Sequence, residues 1–595
     1  MCGIFGFIGI DTDPGQIVLD GLKKLEYRGY DSFGIAITTK QKFIIHKQTG
    51  EIEHSTNPFI KAETNFAIGH SRWATHGGVT KENAHPHVSN NEQIMLVHNG
   101  IFENYLEIKK QLESKGYSFY SQTDSEVAAV LLEDLTKTLN PLEALSQLNK
   151  TLKGRYAMVI KFLNDNNLYA IRNGSPIIIG NNLENKQIYI ASDIPAFLNH
   201  TNNVTYLDDN QLAVLTLNGQ EISTRFFNLE SLQQIEKRQI QVELDAQEAE
   251  LGEFDHFMIK EIMEQKDSLL RAINQTNQKL EELAEIIKNA EDVYFVGCGT
   301  TGVVAMCARY LFAKIAKKKV HFEYGSEFSH LKELLQENSV IIGISQSGET
   351  IDTLEAIEMG KSMNCKTACI TNVDQSTIAR TADLTILLNA GIEKAVASTK
   401  ATSSQIAILI LLAYATINQT NAAKQLLKDT SGKINDMLNP RYENHLLKLS
   451  AKIKDSKDIF IIGKGINFPV AKESAIKLQE ITYIHAEAFA GGELKHGPLA
   501  LISEGTPVIV LATKDENYSD IISNATEIKS RGGFIIGISS ENHPVFDTWL
   551  KVPESTIDTA IINLIPVQLL SYFIGILKNN NPDKPRNLAK SVTVK

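Results

Sequence analysis

The sequence predicts a layered α+β domain followed by a duplicated α/β domain with parallel sheets, and three observations carry that prediction. Up to about residue 225, short runs of β-branched and aromatic residues sit between turn signals, with two stretches of helical period among them. Beyond about residue 253 the rhythm becomes strand, tight polar turn, helix, which implies a parallel sheet with right-handed crossovers. This second part then repeats itself: Asp292-Val-Tyr-Phe-Val-Gly-Cys-Gly-Thr300 resembles Asp458-Ile-Phe-Ile-Ile-Gly-Lys-Gly-Ile466, and Val340–Ser345 has a partner in Val508–Thr513.

In chain order, the expected N-terminal strands are Phe43–His46, Phe66–Gly69, Ile94–His98, Tyr156–Phe162, Leu168–Arg172 and Ile188–Ala191, with helices at Gly15–Leu25 and Ser125–Leu139. The first ten residues alternate glycine with strand formers and carry no basic leader or small-residue cleavage pattern, so they do not read as a signal peptide. Around Leu229–Gly252 the composition shifts to Gln and Glu with few large apolar residues, a linker leading into a helix at His256–Leu269. The strands of the first α/β copy are expected at Asp292–Gly297, Val320–Tyr324, Val340–Ile344, Thr367–Thr371 and Leu384–Leu388, and the second copy adds Phe534–Ser539. Two apolar stretches imitate membrane segments. Ile406–Ile417 is too short to span, and Ala560–Leu577 carries Asn563, Pro566, Gln568 and Ser571, so both read as buried helices.

The 595 residues hold 59 Lys+Arg against 70 Asp+Glu, a formal net charge of -11 that excludes a generally basic nucleic-acid binder. A content of 43% hydrophobic and 22% charged residues suits several buried cores and is too apolar for disorder. Of the cysteines Cys2, Cys298, Cys307, Cys365 and Cys369, only the last two lie close together, with no second pair to complete a zinc site. No metal is expected, and a reducing compartment, taken as the cytoplasm, is the natural reading.

Chemistry starts at Cys2. If the initiator methionine is removed, its thiol stands beside a free α-amino group of pKa about 7.7–8.0, which accepts the thiol proton directly or through a water. The plainer alternative is a small packing residue on an edge strand. Arg72-Trp73-Ala74-Thr75-His76 follows a predicted strand, and the guanidinium suits a bidentate grip on a carboxylate, or is simply an exposed arginine. Asn99-Gly100 after Ile94–His98 reads either as a tight hairpin turn or as an oxyanion hole made of an amide side chain and a backbone N–H. Thr123-Asp124-Ser125-Glu126 is a capping box in which Asp124 is also placed to pair with an ammonium.

Cys2-Gly3-Ile4, Arg72–His76, Asn99-Gly100 and Asp124 together resemble the glutaminase domain of class II glutamine amidotransferases, which have an N-terminal nucleophile (Ntn) fold. The strings Leu25-Glu-Tyr-Arg-Gly-Tyr-Asp-Ser32 and Asn83-Ala-His-Pro-His87 narrow the resemblance to the glutamine:fructose-6-phosphate aminotransferase family, the glucosamine-6-phosphate synthases, and it runs to the last residues of the chain. The resemblance implies that Cys2 attacks the glutamine amide, that Arg72, Thr75, His76 and Asp124 grip the amino-acid end, that Asn99 and Gly100 stabilise the oxyanion, and that Trp73 gates ammonia.

In the second part, Cys298-Gly-Thr-Thr-Gly302 and Ser345-Gln-Ser-Gly-Glu-Thr350 each follow an apolar strand and open a helix, so hydroxyls, backbone N–H groups and helix N-termini converge on an anion site, most naturally for phosphate. Ordinary Ser/Thr capping accounts for either loop singly but is strained for two at equivalent places. Neither loop has a Walker lysine or a dinucleotide fingerprint. The copy at Gly463-Lys-Gly465 lacks the hydroxyl cluster, so only the first copy is expected to bind phosphate. Glu473, Lys477 and Glu480 fall on one face of a predicted helix, and Glu493-Leu-Lys-His-Gly-Pro498 adds a loop histidine; the set suits proton transfer on a sugar, or a solvated salt-bridged face.

By the same resemblance, two sugar isomerase (SIS) domains follow the glutaminase domain, with Thr301, Ser345, Gln346, Ser347 and Thr350 on fructose 6-phosphate and Val396 and Ser398 against the sugar. His496 assists ring opening, Lys590 forms a Schiff base, and Glu480 moves the proton with Lys477 nearby. The domains implied are 1–228, a linker 229–252, SIS domains 253–437 and 438–578, and a catalytic tail 579–595. L-glutamine and fructose 6-phosphate are the substrates, no cofactor, nucleic acid or membrane is involved, and a homodimer is expected. Thr301, Gln479, the segment Tyr324–His330 without an arginine, and Glu393-Lys394-Ala395 depart from the family pattern. Two rival readings are a sugar-phosphate-binding regulator, which has no use for Cys2, Glu480 or Lys590, and an amidotransferase for another acceptor, whose pyrophosphate or nucleotide motif is not visible.

Overall fold

A computed structural model describes residues 2–10, 12–59, 63–242 and 250–593. It divides into two units, Met1–Glu250 with Ala589–Lys595, and Leu251–Leu588.

The first unit is two antiparallel sheets packed face to face. One has the strand order Ile240–Gln241, Asn203–Tyr206, Ile178–Asn182, Gln187–Ala191, Gly3–Gly9, Phe66–Arg72, Ser32–Thr38, Phe43–Thr49. The other runs Gln234–Ile235, Glu221–Asn228, Gln211–Asn218, Asn167–Asn173, Tyr156–Phe162, Ile94–Gly100, His87–Val88. Period-two alternation builds the layers. Ile4 and Ile8 meet Met95, Val97 and Val159 between the sheets. Phe5 and Phe7, from the same strand, face Val18 and Leu22 of the helix Pro14–Lys24 outside. Helices Tyr105–Ser114, Asp124–Leu135 and Pro141–Thr151 cover the other outer face.

Two of the plainer alternatives are set aside here, and the linker reading is narrowed. Gly3–Gly9 is an interior strand, between Gln187–Ala191 and Phe66–Arg72, so Cys2 does not start an edge. Asn99 and Gly100 make no hairpin turn; they extend the strand Ile94–Gly100, opposite Ala157 and Tyr156. The segment read as a linker from residue 229 pairs into both sheets through Gln234–Ile235 and Ile240–Gln241, while its residues 243–249 lie outside those described. Short β-strands with few large side chains carry little signal of their own, and partner strands decide them.

The second unit holds two five-stranded parallel sheets. The first is ordered His321–Tyr324, Val293–Gly297, Val340–Ser345, Lys366–Thr371, Leu384–Leu387, and the second His485–Ala490, Asp458–Gly463, Pro507–Leu511, Phe534–Ser539, Thr548–Lys551. Both therefore read 2-1-3-4-5 in strand order. Such a sheet has its topological switch point between strands one and three, where ligands bind. The helix expected over His256–Leu269 is two, Phe257–Met263 and Gln265–Ile273. Lys400–Ala415 is buried nearly throughout. Thr559–Leu577 is long and apolar enough to cross a membrane, yet 89% of its most apolar window is buried in the protein, against helices Pro440–Ile453 and Asn467–Thr482. One core runs through both copies, joining Phe295 and Ile342 to Ile461 and Ile509.

Candidate active sites

In the first unit, the pairing of Gly3–Gly9 with Phe66–Arg72 brings Cys2 to the end of the strand that carries Arg72 and Trp73. The main-chain N–H of Trp73 donates to Cys2 Sγ at 3.2 Å, and the sulfur lies 3.4 Å from the Trp73 carbonyl oxygen. Burial pushes the Cys2 thiol up, against the lowering effect of the Trp73 amide and of Arg72 and Arg28. Met1 lies outside the described residues. Asn99 Nδ2 donates to the Cys2 carbonyl oxygen at 3.0 Å, so the amide side chain reaches the main chain of Cys2.

The orientation of that amide is set from behind. Nε2 of the buried His70 lies 2.8 Å from the His98 carbonyl oxygen and 3.0 Å from Asn99 Oδ1, both acceptors, so Nε2 carries the proton and Asn99 turns its NH2 toward Cys2. Burial, reinforced by His98, lowers His70 to about 3. Gly100 has φ +121°, and a Cβ there would meet the Arg155 carbonyl oxygen at 2.1 Å, so the position requires glycine.

Arg72 is buried, and its guanidinium donates to the carbonyls of His76, Gly77 and Gly78. It therefore shapes the loop that presents the exposed Thr75 and the half-buried His76, which packs edge-on to Tyr105. The Trp73 indole sits edge-on to Tyr30, centroids 5.7 Å apart. Asp124 accepts the Phe102 N–H at 2.9 Å. Thr123 caps the helix by accepting from Glu126 N–H, but Glu126 reaches back to the N–H groups of Tyr120 and Ser121, so only half of the expected capping box forms.

Two features escaped sequence reasoning. Arg28, paired with Asp193 at 3.2 Å, donates through Nε to the Cys2 carbonyl; its only signal was its place in the string Leu25–Ser32. His70, His85, His87 and His98 form one buried cluster, with His70 stacked on His85 at 4.0 Å and His98 on Phe102 at 4.0 Å. Nothing in the spacing of these histidines announces it.

In the second unit, the loops 298–302 and 345–350 stand at the switch point of the first sheet, after Val293–Gly297 and Val340–Ser345. Ser345 Oγ accepts the Gly348 N–H at 3.0 Å and lies 2.9 Å from Thr350 Oγ1, and Ser347 Oγ accepts the Glu349 N–H. Gly348 has φ +66°, and a Cβ there would strike Ser376 Oγ. Gln346 is half-buried in the same turn. The helices Thr300–Leu311 and Ile351–Ser362 that follow have no side-chain cap among the described residues, and in the first the Thr301 N–H is taken by the Cys298 carbonyl oxygen at 3.1 Å. Thr301 Oγ1 closes its own turn, accepting Cys298 N–H and donating to Cys298 O.

The switch point of the second copy is filled. Asn467, in the place of Thr301, donates to Thr513 Oγ1 at 3.1 Å, Thr513 meets Thr559 at 2.6 Å, and Asn563 Nδ2 reaches Asn467, Thr513 and Thr559 at 2.9–3.0 Å. All four are buried. An internal network engages these side chains with one another, leaving only Asn563 Oδ1 without a hydrogen-bond partner among the described residues.

The second copy contributes a helix instead. On Asn467–Thr482, Lys477 Nζ lies 2.6 Å from Glu480 Oε2 and 3.4 Å from Glu473 Oε1, and Glu473 and Lys477 are 2% and 1% exposed. Thr300 Oγ1, from the first copy's loop, donates to Glu473 at 3.1 Å and accepts from Lys477 at 3.3 Å. Burial raises Glu473 to about 7, helped by Glu480. Burial alone would lower Lys477, but the two carboxylates outweigh it and raise it. The trio thus holds one cation between two carboxyls, and Glu473 Oε2 has no hydrogen-bond partner among the described residues. The solvated-face alternative does not survive this burial.

Val396 is buried and Ser398 Oγ donates to Glu393 Oε2 at 3.0 Å. Gln479 donates to the Ala486 carbonyl, tying this helix to the strand His485–Ala490. His496 is exposed at the end of the short helix Gly491–His496, and Lys590 is half-buried in the stretch Ala589–Lys595 that groups with the first unit. Among the described residues no group of three or more His, Cys, Asp or Glu is placed to hold a metal ion.

Comparison with known proteins follows the same division. A glutamine amidotransferase domain model matches residues 70–199, and a SIS domain model matches 286–415 and 452–574. The chain is 39% identical over 608 residues to a protein of Thermococcus kodakarensis named glutamine–fructose-6-phosphate aminotransferase (isomerizing), covering all of both chains. Relatives of the same name in Clostridium acetobutylicum and Thermus thermophilus are 39% and 37% identical, again over the whole of both chains. Among solved structures, the C-terminal domain of glucosamine-fructose-6-phosphate aminotransferase from Francisella tularensis matches with TM-score 0.52 and 31% identity, covering 56% of this chain and 99% of that one.

Proposed function

The chain belongs to the glutamine–fructose-6-phosphate aminotransferase (isomerizing) family, and from that premise we propose which of its residues carry each half of the reaction. It is an enzyme that uses glutamine to aminate and isomerise fructose 6-phosphate, giving glucosamine 6-phosphate and glutamate.

In the first half-reaction the Cys2 sulfur attacks the glutamine amide carbon, its proton passing to the α-amine that removal of Met1 exposes. The Asn99 side chain and the Gly100 N–H take the oxyanion. The loop that Arg72 organises, with Thr75 and His76, binds the amino-acid end together with Asp124. Ammonia leaves past Trp73 and water releases glutamate from the thioester.

In the second half-reaction the loops holding Thr301, Ser345, Gln346, Ser347 and Thr350 take the phosphate, and Val396 and Ser398 contact the sugar. His496 assists ring opening. The neutral amine of Lys590 condenses with the C2 carbonyl, water leaving, and ammonia later displaces the lysine. Glu480, paired with Lys477, moves the proton between C1 and C2. The observation that carries this reading is Thr300: its hydroxyl joins the first copy's anion loop to the Glu473–Lys477 pair of the second, so charge binding and proton transfer share one place.

The same reading makes the protein a cytoplasmic homodimer, independent of nucleic acid and membrane, with a glutaminase part whose strands run on to Ile240–Gln241, SIS domains at 253–437 and 438–578 and a catalytic tail at 579–595; family resemblance supports it. Incubation with glutamine and fructose 6-phosphate should yield glucosamine 6-phosphate and glutamate by mass analysis. Glutamate without amino sugar would refute it.

A further inference from the structure

The root of the C-terminal tail is tied down by one carboxylate. Asp583 Oδ2 accepts the Phe257 N–H at 2.8 Å and Oδ1 the Met258 N–H at 2.7 Å, which are the first amides of the helix Phe257–Met263. The Asp583 main-chain carbonyl accepts the Val396 N–H at 3.0 Å. A single residue therefore holds the helix that follows the linker with its side chain and the loop carrying Val396 and Ser398 with its backbone.

Its neighbours reinforce the junction. Asn581 Oδ1 accepts the N–H groups of Asp583 and Lys584, fixing the turn. Asn580 Nδ2 donates to the Ile481 carbonyl at 2.8 Å, and Arg586 N–H donates to Tyr483 Oη at 2.8 Å with its guanidinium 4.2 Å from that ring. Ile481 and Tyr483 end the helix that carries Glu473, Lys477 and Glu480. The loop is braced from the other side too: Glu261, on the helix that Asp583 caps, accepts the N–H groups of Lys394 and Ala395, and Glu393 accepts from Ser398 Oγ and Thr399 N–H.

We propose that Asp583 is a positioning residue for the sugar reaction: it registers the base of the tail that bears Lys590 against the Val396–Ser398 loop and the helix Phe257–Met263, so that a sugar seated on that loop meets the tail in reacting position. The proposal rests on the functional reading above. Two charge-assisted bonds to adjacent amides make a rigid pivot, whereas an amide side chain offers one acceptor and a methyl none. Misplacing a reacting group costs rate more than binding.

The test compares wild-type enzyme with D583A and D583N, reading kcat and KM for fructose 6-phosphate, glutaminase activity without sugar, and glutamate formed per glucosamine 6-phosphate. Expected for D583A is a fall in kcat of about tenfold with KM within about threefold, unchanged sugar-free glutaminase, and a raised glutamate to amino-sugar ratio. D583N, which keeps one acceptor, should fall between. A wild-type ratio and kcat in D583A overturn the proposal and leave the functional reading standing. If D583A does not fold, D583N is read by the same ratio, and a wild-type value there overturns the proposal. Wild-type enzyme that makes no amino sugar overturns the functional reading, and the proposal with it.

Discussion

The imidazole of His70 faces two acceptors at once, the His98 carbonyl oxygen at 2.8 Å and Asn99 Oδ1 at 3.0 Å, and thereby decides which end of the Asn99 amide points at Cys2. Removing the imidazole frees that amide to rotate. H70A should lower glutaminase kcat by about tenfold or more while KM for glutamine stays near wild type, and N99A should cost about 10²–10³ in kcat. Steady-state glutamate release checks both, and an unchanged kcat in H70A would show that Asn99 is oriented by something else.

Acid should undo the first unit before the second. The unfolded imidazole titrates near 6.5, whereas burial lowers folded His70 to about 3 and His98 to about 4, and lowers His85 and His87 well below their ordinary value. Because the folded values are depressed, the stability linked to these neutral rings is complete above about pH 6.5 and is lost as pH falls toward the folded values. Glutaminase activity and near-ultraviolet dichroism followed from pH 8 to pH 4 should fall together with uptake of more than one proton. A midpoint indifferent to pH between 6.5 and 5 would contradict this.

Glu473 should show the opposite sign. Its folded value is raised to about 7, so its contribution to stability is complete below the unfolded carboxyl value of about 4.3 and disappears as pH rises through 7. E473Q should flatten the dependence of Tm on pH between 5 and 8, with the largest gain over wild type at pH 8. Calorimetry of the two proteins at three pH values is sufficient.

Cysteine removal separates the half-reactions. C2A should abolish glutamine-dependent synthesis while fructose 6-phosphate still raises Tm; loss of the sugar-induced shift would mean that the two units are misassigned.

The filled switch point of the second copy gives a control. N563A should destabilise by about 1–3 kcal/mol, because it strips partners from the buried Asn467, Thr513 and Thr559. KM for fructose 6-phosphate should stay within about twofold of wild type. A large rise in KM would place sugar in the second copy.

Much of this was legible in the residues because the relevant signals are local. The duplicated strand-loop pattern at Asp292 and Asp458 marks two α/β copies, and strands one and three of each place the loops at a switch point. The spacing of Glu473, Lys477 and Glu480 puts them on one helical face. What the spacing does not carry is burial: a Glu-Lys-Glu face reads as solvated until Thr300 and the first copy close over it. Arg28 and His70 were invisible for the same reason, since each acts through a partner more than twenty residues away. Asn99-Gly100 left a hairpin turn open as the plainer alternative because the dipeptide favours one, and only pairing with Tyr156–Phe162 reveals that the strand continues.

The plugged pocket built around Asn467 and Asn563 has a further meaning for how such a catalyst is cut into pieces. On the assignment proposed above, a fragment ending before Asp458 would keep Ser345, Ser347 and Thr350 and lose Glu473, Lys477 and Glu480, and one beginning there would keep the second set and lose the first. Mixing the two halves, rather than supplying either in excess, is what should bring turnover back.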